Sequence, residues 1–491
     1  MTERFPMSAI RSRLLAIAAF ATTASLVSVA PALAATPIVG ETQLVSVNTG
    51  GASSGQFVSS GQVSANGRYV VFASTAQDLV TVPAATGGQY DVFRRDLLTG
   101  VTVLVSFDAT GLQQANAGSG GAAVSADGRY VVFTSTATDI DPLDTSTDDD
   151  VFLRDMDLCV TTLVSVNAVG TAGGDSYSSN PAISGDGSIV TFTSDASDLV
   201  ATDTNGVMDV FFRTVSAAIP VTALVSLRTT LDQMTASSGS APASLSFDGR
   251  YVAYDSLDQS IFPSGSTGSQ IYRRDLTTGE TLGVSHDRHG GSGPNAFSPS
   301  ISSDGSLVAF SSTSDQMYPN DTNGVEDVFV RSLVDDSLTV VSVPRTSGGG
   351  TAGASESPSI SGDGRFVAFE SEGTDLVADT VTGNGDIYVR SLAAGTTTLV
   401  SMNLAGTGGG SDRSYGASLS GDGSIAAFAS DADDLTSNDA NGATDMFARG
   451  LDVTVAAKPA LAATGLDAAP VLALGLALLV AGGLVVHRRR A

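Results

Sequence analysis

The chain has 491 residues, 42% of them hydrophobic, with a formal net charge of −27 and one cysteine, Cys159. That length exceeds what one ordinary core holds, so several domains or a repeat array are expected. The acidity excludes nucleic acid and anionic lipid as natural partners and leaves no clustered Lys and Arg for phosphate binding, while a lone cysteine excludes an intrachain disulfide.

The first segment reads as an export signal. Arg4, Arg11 and Arg13 form a basic start, Leu14 to Val29 an apolar stretch, and Ala32-Leu33-Ala34 places small residues at the spacing signal peptidase needs. The alternative, a first membrane helix, fits less well with so short an apolar run ending in proline. Residues 1–34 are therefore expected to be removed.

From residue 42 to 455 one pattern returns at intervals of 56 to 62 residues. It opens on Ser-x-Asp/Asn-Gly followed by an apolar run ending in an aromatic, as in Ser64-Ala65-Asn66-Gly67-Arg68-Tyr69-Val70-Val71-Phe72, and restarts at Ser125, Ser184, Ser246, Ser302, Ser361 and Ser420. A second motif follows about 25 residues later, Asp91-Val92-Phe93-Arg94-Arg95-Asp96-Leu97, with counterparts at Asp150, Asp209, Gln270, Asp327, Asp386 and Asp445. A short Leu-Val-Ser strand closes each unit, at Leu104, Leu163, Leu224, Val340 and Leu399, with a weaker Gly283-Val284-Ser285. Each unit thus offers four short strands; in the third copy these are about 181–184, 189–194, 210–215 and 222–227. The second strand is apolar on both faces, which requires a sheet covered on both sides, and helical periodicity is absent. The reading is all-β: a seven-bladed β-propeller of four-stranded antiparallel blades. The last copy lacks a closing strand and a spare one precedes the first, so Gln43–Val47 is expected to complete the last blade and close the ring.

These repeats resemble the TolB-like, WD-type propeller repeats, whose signature is a Ser-Pro-Asp-Gly turn, a short apolar strand and an Asp/Ile-Tyr-Val strand. The proline of that turn is replaced here by Ala, Gly, Phe or Ser.

Features present in every blade are read as structural. Arg95, Arg154, Arg213, Arg274, Arg331, Arg390 and Arg449 recur on one face of the third strand, and Asp78, Asp139, Asp198, Asp375 and Asp434 recur after the second. Because a buried guanidinium calls for a partner, these two sets are expected to pair. The turns between strands one and two and between strands three and four are tight, whereas the other connections are long and Gly-rich or acidic, so the long-loop end is the site candidate. There Asp203-Thr-Asn205-Gly-Val-Met-Asp209 recurs as Asp321/Asn323/Asp327 and Asp439/Asn441/Asp445. Alternating oxygens around a Gly turn suit calcium; an Asx-turn is the competing reading. Gly51-Ala-Ser53-Ser-Gly55 matches a nucleophile elbow without its strand-to-helix context. His286 and His289 are the histidines of the exported part and could join a carboxylate at a metal, or stand solvated in a loop.

Residues 456–465 hold a short stalk and the pentapeptide Leu461-Ala462-Ala463-Thr464-Gly465, followed by an apolar run from Ala468 to Val486 within the expected transmembrane helix and basic tail (466–491), which carries three arginines near its end. That order resembles the cell-wall sorting signal of Gram-positive surface proteins, in the Leu-Ala-x-Thr-Gly variant found among actinobacteria. The resemblance implies sortase cleavage between Thr464 and Gly465, with Leu461 and Ala462 recognised; a permanent tail anchor is the alternative. Taken together the expectation is a wall-anchored, non-enzymatic binding, adhesion or scaffold module with no catalytic residues, no cofactor unless calcium, and sortase plus an extracellular protein or glycan as partners. The competing readings are a metal-dependent enzyme on extracellular polysaccharide and a plain structural surface protein.

Overall fold

A computed structural model describes residues 37–454, except 55, 82–87, 229, 231–233, 235–241, 259–267, 288–294, 320, 322 and 347–350. The export signal, Lys458, the sorting pentapeptide and the apolar tail lie outside the described residues, among which there is no helix.

Seven four-stranded antiparallel sheets are arranged as blades. In the first blade the strands run Val58–Val63, Tyr69–Ser74, Asp91–Asp96 and Val101–Leu104, from the axis outwards. First strands meet first strands all the way round, from blade 1 through blade 7 and back to blade 1. The last blade takes Thr42–Leu44 as its outer strand, paired Thr42↔Arg449, Gln43↔Ala448 and Leu44↔Phe447. Ring closure by the N-terminal segment is therefore observed. In the third blade the inner strand begins earlier than the sequence pattern suggests, at Ser178, because a bulge at Asn180 lets the chain pair on both sides of Pro181.

Strand alternation distributes the core. Val70 and Phe72 pack with Met446 and Ala448 of the last blade, while Val71 and Ala73, on the opposite face, pack with Val131 and Phe133 of the second. Every blade repeats this, so seven apolar clusters each belong to two neighbours. Inside each blade the aromatic of the second strand stacks on that of the third, from Phe72–Phe93 to Phe428–Phe447, with ring centroids 5.7–5.9 Å apart. Each such pair adds about 0.5–1.5 kcal/mol beyond its buried area.

The Ser-x-Asp/Asn-Gly turn has two jobs. Locally, the serine hydroxyl donates to the Asp or Asn two residues on and accepts the N–H five residues on, as Ser125 does with Asp127 (2.7 Å) and Tyr130 (3.0 Å). The glycine supplies the positive φ, 69–80° in all seven turns. Globally, the turns bond one another in a closed circle: Asn66 N–H to Ala126, Ala126 to Gly185, Asp186 to Phe247, Phe247 to Ser303, Ser303 to Gly362, Asp363 to Gly421, and Gly421 back to Ala65, at 2.8–3.0 Å. This circle gives a physical reason for the missing prolines. In four blades the x residue donates its N–H to the next blade, and proline has none to give.

A second device recurs at the other end. The first residue of each third strand accepts the hydroxyl of the serine in the Leu-Val-Ser strand: Asp91–Ser106 at 2.8 Å, Asp150–Ser165 and Asp327–Ser342 at 2.5 Å, Asp386–Ser401 at 2.6 Å, and likewise Asp209–Ser226 and Asp445–Ser46. Gln270 replaces the aspartate opposite Ser285, at 2.8 Å. The same serine oxygen accepts the next N–H of the third strand, as Ser106 does from Val92 at 3.1 Å. The Asp–Ser pair thus fastens the short outer strand in six blades, and the Gln270–Ser285 pair does so in the fourth.

The expected pairing of the repeated arginines with aspartates is not what forms. Six arginines donate to the threonine directly across on the outer strand, Arg95 to Thr102 at 2.9 Å and Arg449 to Thr42 at 2.7 Å among them. Arg331 faces Leu338 instead and turns to backbone carbonyls of Val284, His286 and Asp336. The aspartates sit at the opposite end of the blade and hold the blade-to-blade loops; Asp139, Asp198 and Asp434 each accept a loop N–H at 2.9–3.0 Å. Burial alone did not demand a charged partner, because a neutral hydroxyl across the strand satisfies the guanidinium.

The circle of turns makes a discriminating prediction. Ala126→Pro deletes a donor and should cost about 1–3 kcal/mol, the usual range for leaving a buried acceptor unpaired. Ala65→Pro should be tolerated, since Ala65 enters the circle through its carbonyl. Chemical denaturation of both variants checks this, and equal losses would refute the circle.

Candidate functional site

The acidic loops were the sequence-level candidates, and the structure shows what their residues hold. Asn205, Asn323 and Asn441 each accept the backbone N–H two residues on (Val207, Val325, Ala443) at 2.9–3.1 Å, which is an Asx-turn. Each also donates its amide to the aspartate that opens the third strand: Asn205 to Asp209 and Asn323 to Asp327 at 2.8 Å, Asn441 to Asp445 at 2.6 Å. So Asp209, Asp327 and Asp445 are buried, with one oxygen held by serine and the other by asparagine. Burial raises the Asp327 carboxyl to about 6 and, with Asp439 adding to the rise, that of Asp445 to about 7, while the serine and asparagine hydrogen bonds oppose it. Asp203 is half-buried, whereas Asp321 and Asp439 are buried. Among the described residues no group of three or more His, Cys, Asp or Glu side chains stands close enough to hold a metal ion.

His286 lies on the rim, where the outer strand of the fourth blade has ended. Its Nε2 is 2.9 Å from an Asp336 oxygen in the third-to-fourth turn of the fifth blade. His289 lies outside the described residues. Ser53 sits in a loop bridged to Val47, with its N–H on the Asn438 carbonyl and no helix beside it.

A cleft of about 1000 Å³ on the rim around the outer strand of the first blade, lined also by its two neighbours, was not foreseen. Arg94, Arg95, Phe107, Arg154, Met156 and Cys159 line it, and no carboxylate does. The arginines reach it from both faces of the first blade: Arg94, opposite Val71, faces the second blade, Arg95, opposite Val70, faces the last, and Arg154 approaches from the second blade beside Phe107, which follows the Leu-Val-Ser motif of the first. The Arg154 guanidinium stands 4.9 Å from the Phe107 ring centroid, a cation–π contact. Arg95 and Arg154 are 7% and 4% exposed, and each keeps a buried Nε that meets no acceptor. Desolvation lowers both from the ordinary arginine value. Cys159 is exposed at the edge, with φ 56° in its turn. Sequence reasoning missed the cleft because its cationic residues are scattered; only the packing of neighbouring blades brings Arg154 to Phe107. The signal that was available is Phe107, an aromatic where the other units carry Val, Leu, His or Met.

No family model matches the chain, and no curated protein does. Solved structures resemble the chain at low identity. TolB from Acinetobacter baumannii is 15% identical over 63% of this chain and 58% of its own, with a TM-score of 0.37. An oligogalacturonate lyase in complex with manganese is 12% identical over 85% of this chain and 98% of its own, with a TM-score of 0.46. A prolyl endopeptidase is 13% identical over 80% of this chain, which spans half the length of that enzyme, with a TM-score of 0.48. The chain is an all-β propeller of seven four-stranded blades by its own strand pairing.

Proposed function

We propose that the protein is a non-enzymatic binding module displayed at the cell surface, taking an anionic ligand with an apolar part into the rim cleft. The observation that carries this reading is the composition of the cleft. A chain with 51 acidic and 24 basic side chains gathers three arginines around one cavity and admits no Asp or Glu to it. Guanidinium groups beside an aromatic ring in a largely desolvated cleft suit a carboxylate or phosphate ester carried on an apolar or ring-shaped body. The surrounding negative surface repels anions in general, so the cleft adds selectivity for ligands that fit it. His286 engaged with Asp336 on the rim favours binding over a catalytic use of that histidine.

Display at the surface rests on the export signal and on the sorting signal, with sortase as the processing partner. Fractionation of host cells with and without sortase tests it: the protein should leave the wall fraction on deletion, and an unchanged membrane protein would contradict wall anchoring.

Cys159, the chain's only cysteine, allows the cleft itself to be tested. Uronic acid oligosaccharides and polyol phosphates are the first ligands to titrate by calorimetry, with neutral glycans as controls. Binding should be lost when a bulky maleimide is attached to Cys159 and weakened at least tenfold in Phe107→Ala. Binding unaffected by both changes would refute the cleft as the site.

A further inference from the structure

A second cleft opens from the arginine cleft. It has a volume of about 550 Å³, lies on the rim at the last blade, and shares Val47, Gly51 and Arg95 with the first, so the two are continuous. Two departures from the repeat line it. Gln43 stands in the outer strand where the first, second and sixth units carry Val103, Thr162 and Thr398. Thr436 stands where the first, third and sixth units carry Val80, Val200 and Val377. Gln43 Oε1 and Thr436 Oγ1 are buried and meet no hydrogen-bond partner among the described residues, and Thr436 as a whole is 7% exposed. Arg95, at the junction of the clefts, holds a buried Nε in the same condition. A buried polar group without a partner is costly. The valine of the sister units would avoid that cost, so the two polar side chains point to something that occupies the cleft and bonds them.

We propose that the two clefts form one extended site for a linear oligosaccharide with a single acidic unit at one end, the acid among the arginines and the neutral units along Gln43 and Thr436. This rests on the reading of the arginine cleft as an anion site. The length follows from size. The first cleft alone is as large as an ordinary small-molecule site, and the second continues it past Arg95 towards the last blade. The chemistry follows from the lining. Sugar hydroxyls both donate and accept, so one can donate to Gln43 Oε1 and another can exchange a bond with Thr436 Oγ1, which an aliphatic chain cannot do. Charge sets the direction. Three arginines and no carboxylate line the first cleft, whereas Glu41 is the one carboxylate of the second. A second acidic unit would meet like charge there, so the ligand that fits is acidic at one end and neutral beyond it.

The test is calorimetry on the full-length protein with glucuronic acid and aldotetraouronic acid, which carry one carboxylate each, and with tetragalacturonate, which carries one on every unit. Wild type should bind aldotetraouronic acid about tenfold more tightly than glucuronic acid, the gain expected of one or two added hydrogen bonds. Thr436→Val and Gln43→Val install residues that sister units already use, so both should melt no lower than wild type, and each should cut that ratio to about threefold. Glu41→Gln should narrow the gap between tetragalacturonate and aldotetraouronic acid. The proposal is overturned if glucuronic acid and aldotetraouronic acid bind alike, which is the result if ordered water alone serves Gln43 and Thr436. It is also overturned if both valine variants keep the full ratio, or if tetragalacturonate is the tightest ligand of wild type. The two readings fail separately. Binding of glucuronic acid that depends on Phe107 but gains nothing from length removes the extended site and leaves the arginine cleft, whereas no binding of any probe removes both.

Discussion

Everything in this molecule depends on closing a ring of sheets that cannot stand alone. A single blade has an apolar surface on both faces, so its second strand is satisfied only when a neighbour covers each side. Seven neighbours provide that only if the last meets the first. Two independent devices ensure it: Thr42–Leu44 pairing with the last blade at the rim, and the circle of turn-to-turn hydrogen bonds near the axis. One acts where strands are outermost and the other where they are innermost, which resists both peeling and splaying.

Repetition then sorts the side chains by role. The Asp–Ser pair, the Arg–Thr pair and the aromatic stack recur in six or seven blades and consume residue types that would look catalytic in isolation. An aspartate lifted by burial to about 7, as Asp150 is, belongs to strand fastening because six of the seven blades place an aspartate there and the seventh a glutamine. Departures from the repeat carry more information. Phe107 breaks the pattern, and it stands where the structure leaves a cavity.

The fold was legible in the sequence because its determinants are local and periodic. Asp-Gly turns, strands of six residues and the spare Leu44-Val45-Ser46 state the strand order and the closure directly. The arginine partners were not legible. Whether Arg95 meets Asp78 or Thr102 depends on strand register across a hairpin, and a charge-pairing rule favours the wrong one. The cleft was hidden for a related reason: Phe107 and Arg154 are in different blades, and nothing local to either predicts their contact. The acidic loops were half legible, since the Asx-turns follow from Asp-x-Asn-Gly while the burial of Asp209, Asp327 and Asp445 follows from the fold.

Residue-resolved amide exchange on the native protein tests the central claim most directly. If the ring closes as a unit, the N–H groups of Asn66, Ala126, Asp186, Phe247, Ser303, Asp363 and Gly421 should exchange only through one shared opening, with a common free energy and a common denaturant dependence. Seven unrelated opening energies, or protection that falls off blade by blade from either end, would contradict it.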